Sequence, residues 1–255
     1  MNRERLWRSI DRRKAVYRRN MKPVFMQSFE DQIQPFYERI SQTTDIRDVE
    51  IRPLNDQAIA EGYKRLYMIT ALDYAKRKRE QWQKSFLKSD DEIFEDLIMQ
   101  EIITYLERNA GATITAVGDT SVDVIQKILK RIIPEILDSG IGGGAAQTML
   151  RDRLQSEWHK AKYYRTERIV RTEVNRASNW GSLEGTKSLG VEMNKVWLSA
   201  FAAESRPEHE AADGQKVDLN EPFTVWGEQL QYPGDPVGSP GNTINCLCSF
   251  YEQLK

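Results

Sequence analysis

Cysteine and histidine are scarce in this sequence: 255 residues hold two of each, and the cysteines sit one residue apart at 246 and 248. Two thiols so placed on one extended segment do not pair readily, so no disulfide framework is expected and synthesis in a reducing compartment fits best. Apolar residues never run on for the roughly 18 positions that a membrane-spanning helix needs, which excludes that class. The opening MNRERLWRSIDRRKAVYRRN lacks an apolar core segment, so a secretory signal is not expected. There is no internal repeat and no low-complexity tract. With 40% hydrophobic and 29% charged residues, the chain should fold as a soluble globular protein. Its length allows one large domain or two modest ones.

A net charge of −1 conceals a polarity. Residues 1–22 carry nine Arg and Lys against Glu4 and Asp11, whereas residues 200–255 carry nine acids against three bases. Two ends of opposite sign suggest either different partners or two solvated faces.

Helix formers crowd the first two-thirds. Residues 1–22 read as a basic helix or arm with Leu6, Ile10 and Tyr17 on one side, and Pro23 and Pro35 punctuate a second piece over 24–42. After the break at IRPLND, the spacing of Ile59, Tyr63, Leu66, Ile69, Leu72 and Tyr74 predicts a helix over about 56–88. Ser89 with the acids at 90–92 reads as a helix start, and Ile93, Leu97, Ile98, Ile102 and Leu106 trace its apolar face. Asn109 to Gly111 should stop that helix, with ATITAV as a short extended link. Thr120 or Ser121 should cap the next, which Pro134 kinks or ends. SGIGGGAAQ lacks the spacing of a phosphate-binding loop and reads as a joint between helices. Residues 145–189 are again helical, in two pieces broken near Trp180 and Gly181.

After Gly190 the character changes. Residues 195–199, 223–226 and 247–251 are β-prone runs, separated by the turn chemistry of Asp213-Gly214 and Pro233-Gly-Asp-Pro236. The expected fold is α+β: a helical region over 1–139, with its basic arm at 1–22, and a C-terminal region over 140–255 that ends in a small sheet.

The tail carries an ordered set of motifs: Arg171-Thr-Glu173, Trp197-Leu-Ser199, Arg206-Pro-Glu-His209, Asp213-Gly214, Tyr232-Pro-Gly-Asp-Pro236 and Asn245-Cys-Leu-Cys248. This order resembles the Mu F-like phage head morphogenesis family, the minor head proteins of tailed phages, over roughly 140–252. The resemblance implies a non-enzymatic capsid component inside the virion near the portal, synthesised in the host cytoplasm. Portal, capsid or scaffolding proteins would be its partners, with a part in head assembly or genome ejection. Two positions depart from the family pattern. Ala202 and Ala203 stand where members carry Asp, and Leu247 stands where they carry Arg between the cysteines. Members sometimes carry toxin or effector domains after that last strand; here seven residues follow Cys248, which argues against a carrier role.

His209, Cys246 and Cys248 are the candidate metal ligands. Residues two apart on a strand face one side, imidazole and thiolate are donors that zinc prefers, and Asp213 or Glu210 would complete a tetrahedral set. The alternative is that the cysteines are small buried hydrophobes and His209 bonds a loop. A metal-dependent hydrolase or nuclease on these three residues is the rival to the capsid reading; no cofactor other than zinc is suggested. Arg171, Glu173, Trp197, Arg206 and Asn245 are expected to hold the tail together, with no second glutamate spaced for ADP-ribosyl transfer. Arg5, Arg8, Arg12, Arg13, Arg18 and Arg19, with Lys14 among them, are the candidate docking surface for a protein or for double-stranded DNA without sequence preference. Lys160, Lys162, Arg165, Arg168 and Arg176 form a second candidate patch. No membrane partner is expected.

Overall fold

The computed structural model describes residues 2–86 and 91–255. The helix start expected at Ser89 and Asp90 lies outside the described residues. Four long helices, α1 (Arg3–Gln42), α2 (Asp56–Phe86), α3 (Asp91–Asp138) and α4 (Gly143–Lys187), precede a short-stranded tail. The tail runs β1 (Met193–Leu198), α5 (Pro207–Ala211), β2 (Lys216–Asp218), β3 (Phe223–Val225), β4 (Glu228–Leu230), α6 (Pro240–Thr243) and β5 (Ser249–Leu254). The fold is α+β, as the residue pattern suggests. β1 lies between β2 and β5 in an antiparallel sheet, Trp197 opposite Phe250, and β3 pairs antiparallel with β4.

Several expected helix breaks are absent. Pro23 and Pro35 both sit inside α1. The buried positions Phe25, Phe29, Ile33, Phe36, Tyr37 and Ile40 keep helical spacing across them, and burial of that face outweighs the roughly 3 kcal/mol a helical proline costs. α3 continues through Asn109, Gly111, the ATITAV segment and Pro134. Buried Ile102, Ala110, Ser121, Ile125, Ile128, Leu129, Ile132 and Ile136 mark its stripe. Its first turns bury Phe94, Ile98 and Ile102, while Ile93 and Leu97 are exposed. Ser121 therefore does not cap a helix; within α3 its hydroxyl donates to the Gln32 side chain at 2.8 Å. α4 passes Trp180 and Gly181 unbroken. The glycine-dense joint does form, with Gly140 and Gly143 both at positive φ between α3 and α4.

Two compact units assemble from separate stretches. One comprises residues 22–63 and 108–167. Its core includes Phe29 against Trp158 and Phe25 against Tyr63. Arg165 lies over the Phe29 ring and donates to Ser121 Oγ at 2.9 Å, while Lys162 pairs with Glu30. Both bases are buried, so they do not belong to a surface patch.

The other unit comprises residues 1–21, 64–107 and 168–255, and contains both sheets. Here α1 buries Trp7, Lys14 and Met21, a heptad seam that replaces the expected Leu6, Ile10, Tyr17 side. Trp7 Nε1 donates to the Leu247 carbonyl at 3.0 Å.

Candidate functional site

α4 serves the tail as a spine of polar rungs. Thr172 Oγ1 accepts from the Asn245 backbone N–H at 3.0 Å, and Arg176 Nε donates to the Gly234 carbonyl at 2.8 Å. Asn179 Nδ2 donates to the carbonyls of Pro233 and Cys248 at 2.8 and 3.1 Å. Thr186 Oγ1 meets the Glu252 carboxylate at 3.2 Å. Thr172, Arg176 and Asn179 thus spend their polarity on backbone atoms of the tail and Thr186 on a side chain of β5, which is how irregular chain is held without a long sheet.

Two buried charges reinforce this spine. Glu173 accepts from Arg176 Nη1 at 2.8 Å and from the Tyr67 hydroxyl at 3.0 Å. Lys14 Nζ reaches Asn175 Oδ1 at 2.7 Å, Asn179 Oδ1 at 3.1 Å and Ser249 Oγ at 3.5 Å. Burial pushes the Lys14 ammonium down to about 7. Neither Lys14 nor Arg176 is available to a surface ligand.

His209, Cys246 and Cys248 are all buried, and their ligand atoms lie within 4.8 Å of one another. α5 supplies His209, the turn after α6 supplies Cys246, and the lead into β5 supplies Cys248. His209 Nδ1 stands 3.3 Å from Cys248 Sγ and 3.6 Å from Cys246 Sγ. On its other side Nε2 is 2.6 Å from Asn242 Oδ1. The Asn242 amide nitrogen donates to the Val225 carbonyl and to Glu228 Oε2, both at 3.0 Å, so its oxygen faces the ring and Nε2 carries the proton. Trp197 packs edge-on against the imidazole, with centroids 5.8 Å apart, and against Phe223. The Cys246 thiol is held well below the usual thiol range, by the Cys248 hydrogen bond first and by His209. Burial lowers the His209 pKa, but the Cys246 sulfur outweighs it and the net direction is up. Cys248 is pushed up, first by Cys246 and then by burial.

A cavity of about 270 Å³ opens on this trio, lined also by Arg171, Ala202, Ala203, Ser205 and Arg206. Arg171 Nε is buried with no hydrogen-bond partner among the described residues. Arg206 donates to the Ile244 carbonyl at 2.6 Å. Ala202 and Ala203 line the cavity without offering a side-chain ligand atom. Asp213 is engaged elsewhere: it accepts from the Ser199 N–H at 2.9 Å and pairs with Arg3 at 3.2 Å. Neither it nor exposed Glu210 belongs to the cluster.

Residues 126–251 match the family described as Phage Mu protein F like protein. That span contains the spine from Thr172 to Thr186, both sheets up to Tyr251 and the buried trio. Over 100 residues, 38% of this chain, the sequence is 32% identical to the NAD(+)--arginine ADP-ribosyltransferase EFV of Enterococcus faecalis. The chain spans only about 20% of that relative's length. No solved structure matches the chain.

The expected anchors are placed as follows. Glu173 and Trp197 are buried as described, Asn245 adopts a positive φ of 59° at the turn, and Arg171 and Arg206 line the cavity. Sequence reasoning put Lys14 on the exposed docking surface, quoted Thr172 only as part of the Arg171-Thr-Glu173 run, and missed Asn175, Asn179 and Asn242. The helical ones resemble a solvated face, and only their partners far along the chain reveal them. Asn242 alone left a signal, since it stands four residues before Cys246 in a turn-rich segment.

Proposed function

We propose that this protein is a non-enzymatic phage head component that docks on the portal or the inner capsid shell and contacts DNA without sequence preference. The observation that carries the docking part is a division of α1 into two seams. Trp7, Lys14 and Met21 are buried, while Arg5, Arg12 and Arg19, at the same heptad spacing, are exposed on the other side. At 1.5 Å per residue those three guanidiniums span about 21 Å, with exposed Arg13 beside them. Arg8 is paired with Glu4 and Arg18 with Asp11, so they contribute less. A helix whose inner seam is locked into the fold presents its arginines in a fixed row, suited to an acidic protein surface or to phosphates.

The motif residues support the non-enzymatic reading. Glu173, the acid of the Arg-Thr-Glu run, has both oxygens committed to Arg176 and Tyr67. The arginine ADP-ribosyltransferase activity in the relative's name belongs to a protein of which this chain spans a small part. A second reading, a metal-dependent hydrolase or nuclease on His209, Cys246 and Cys248, draws support from the cavity that opens on the three.

Co-expression with the portal and capsid proteins encoded beside it, followed by mass spectrometry of purified DNA-free shells, tests the first reading. Incorporation at low copy, lost when Arg5, Arg12 and Arg19 are changed to Glu, is the expected result. A wild-type chain absent from those shells overturns it. Zinc-dependent cleavage of DNA or a phosphoester, abolished by His209→Ala with the fold intact, would favour the second reading.

A further inference from the structure

We infer that His209, Cys246 and Cys248 form a zinc site with three protein ligands and a fourth position open to the cavity. The nitrogen-to-sulfur separations fit a tetrahedral ion. With Zn–N of about 2.0–2.1 Å and Zn–S of about 2.3 Å at tetrahedral angles, a ring nitrogen and a sulfur sharing one ion stand about 3.6 Å apart. His209 Nδ1 stands 3.3 and 3.6 Å from the two sulfurs. Both nitrogen-to-sulfur separations thus lie within a few tenths of an ångström of those an ion needs, and all three ligand atoms fall within 4.8 Å of one another.

The tautomer is also the ligating one. Asn242 Oδ1 accepts from Nε2–H, which leaves Nδ1 turned to the sulfurs as the nitrogen that would ligate once deprotonated. A histidine ligand whose second nitrogen donates to a fixed oxygen is the usual outer support of a metal site. Here that oxygen is itself fixed by the bonds from Asn242 to Val225 and Glu228. Cysteine and imidazole are soft and borderline donors, which select zinc over magnesium or calcium.

Among the described residues no acid joins the three within 4.8 Å: Asp213 is spent on Ser199 and Arg3, and Glu204 lines the cavity as an exposed side chain outside the cluster. The remaining position faces the cavity, which Arg171 and Arg206 also line. The ion ties α5 to the segment leading into β5, across 37 and 39 residues of chain. It thereby joins irregular segments that the small sheets leave unpaired, whatever the function of the whole protein.

The test uses the full chain, purified reduced from zinc-supplemented culture. Elemental analysis should give zinc equal to chain. Exchange for cobalt should give a sulfur-to-cobalt charge-transfer band with the intense visible absorption of a tetrahedral ion. Cys246→Ser and Cys248→Ser should each weaken or abolish that band. Asn242→Ala retains all three ligands; it should keep the band and lose roughly 10–100-fold in affinity against a competing chelator. A reduced, folded wild-type chain that carries no zinc and gives no thiolate band with cobalt overturns the site. So does a band that persists unchanged in both serine variants.

Discussion

Gly181 stands so close to Ala71 that a β-carbon at 181 would lie 2.2 Å from the Ala71 carbonyl oxygen. One turn further on, a β-carbon at Gly185 would lie 2.4 Å from the Ala75 carbonyl. Glycine and alanine at four-residue spacing thus let α2 and α4 approach along their backbones. Helix propensity alone favours Ala over Gly by about 1 kcal/mol. Overpacking against backbone acts the other way and is larger, because neither carbonyl can move without breaking its own helix. Gly181→Ala and Gly185→Ala should each destabilise the protein by about 2–3 kcal/mol in urea unfolding. Gly111→Ala, with open space around it, should be neutral or stabilising.

The same pair shows why parts of the fold were legible and others were not. Apolar periodicity located the long helices, and β-prone runs between turns located β1, β3 and β5, since both depend on near neighbours; the three-residue strands β2 and β4 were not foreseen. The expected helix ends failed wherever a local breaker met a continuous buried face. Gly181 read as a break, although it is the residue that admits the closest contact. Pro23 and Pro35 read as punctuation, although Phe25, Phe29 and Phe36 carry the helix past them. His209, Cys246 and Cys248 stood out by residue type. Their convergence, and the part of Asn242, depend on how the loops between β2 and β5 return. Lys14 resembled its arginine neighbours until its partners, 161 and 165 residues away, came into view.

Lys195 gives a pH dependence. Its side chain is buried in β1, with Nζ donating to the Gln231 carbonyl at 2.7 Å, and burial first, then Lys187, lowers its pKa to about 7. The unfolded chain holds that proton up to about 10.5. Between those values the unfolded state binds more protons than the native state, so stability rises with pH across the window. That stability is lost as pH falls from about 10.5 towards 7, and the dependence levels off below about 7. Relative to Lys195→Met, the wild type should gain about 2 kcal/mol between pH 7 and pH 9. Equal slopes for the two proteins in denaturant titrations at both pH values would remove Lys195 as the cause.

Glu173 and Arg176 are a buried pair, and removing one partner strands the other. Glu173→Gln leaves the Arg176 guanidinium without its counter-charge, which should cost roughly 3–5 kcal/mol. Tyr67→Phe removes one neutral donor to the same carboxylate and should cost about 1.5–3 kcal/mol, less than stranding the charge. The ratio of the two, read from urea unfolding, distinguishes charge stranding from the loss of a hydrogen bond. Near-equal effects would mean that the carboxylate is partly hydrated.

The exposed arginine row should announce itself in the salt dependence of DNA binding rather than in its strength. Each phosphate neutralised adds about 0.9 to the slope of log K against log salt on duplex DNA. If Arg5, Arg12 and Arg19 all meet phosphates, changing the three to Gln should lower that slope by about 2.7. The loss should be the same on unrelated sequences, because phosphate contacts carry no base information. Stability should change by no more than about 0.5 kcal/mol, since all three side chains are exposed and the seam that holds the helix lies on its other side. The triple variant therefore separates docking from folding. An unchanged slope with intact incorporation into shells would remove the row from both DNA contact and docking. An unchanged slope with incorporation abolished would assign it to an acidic protein surface.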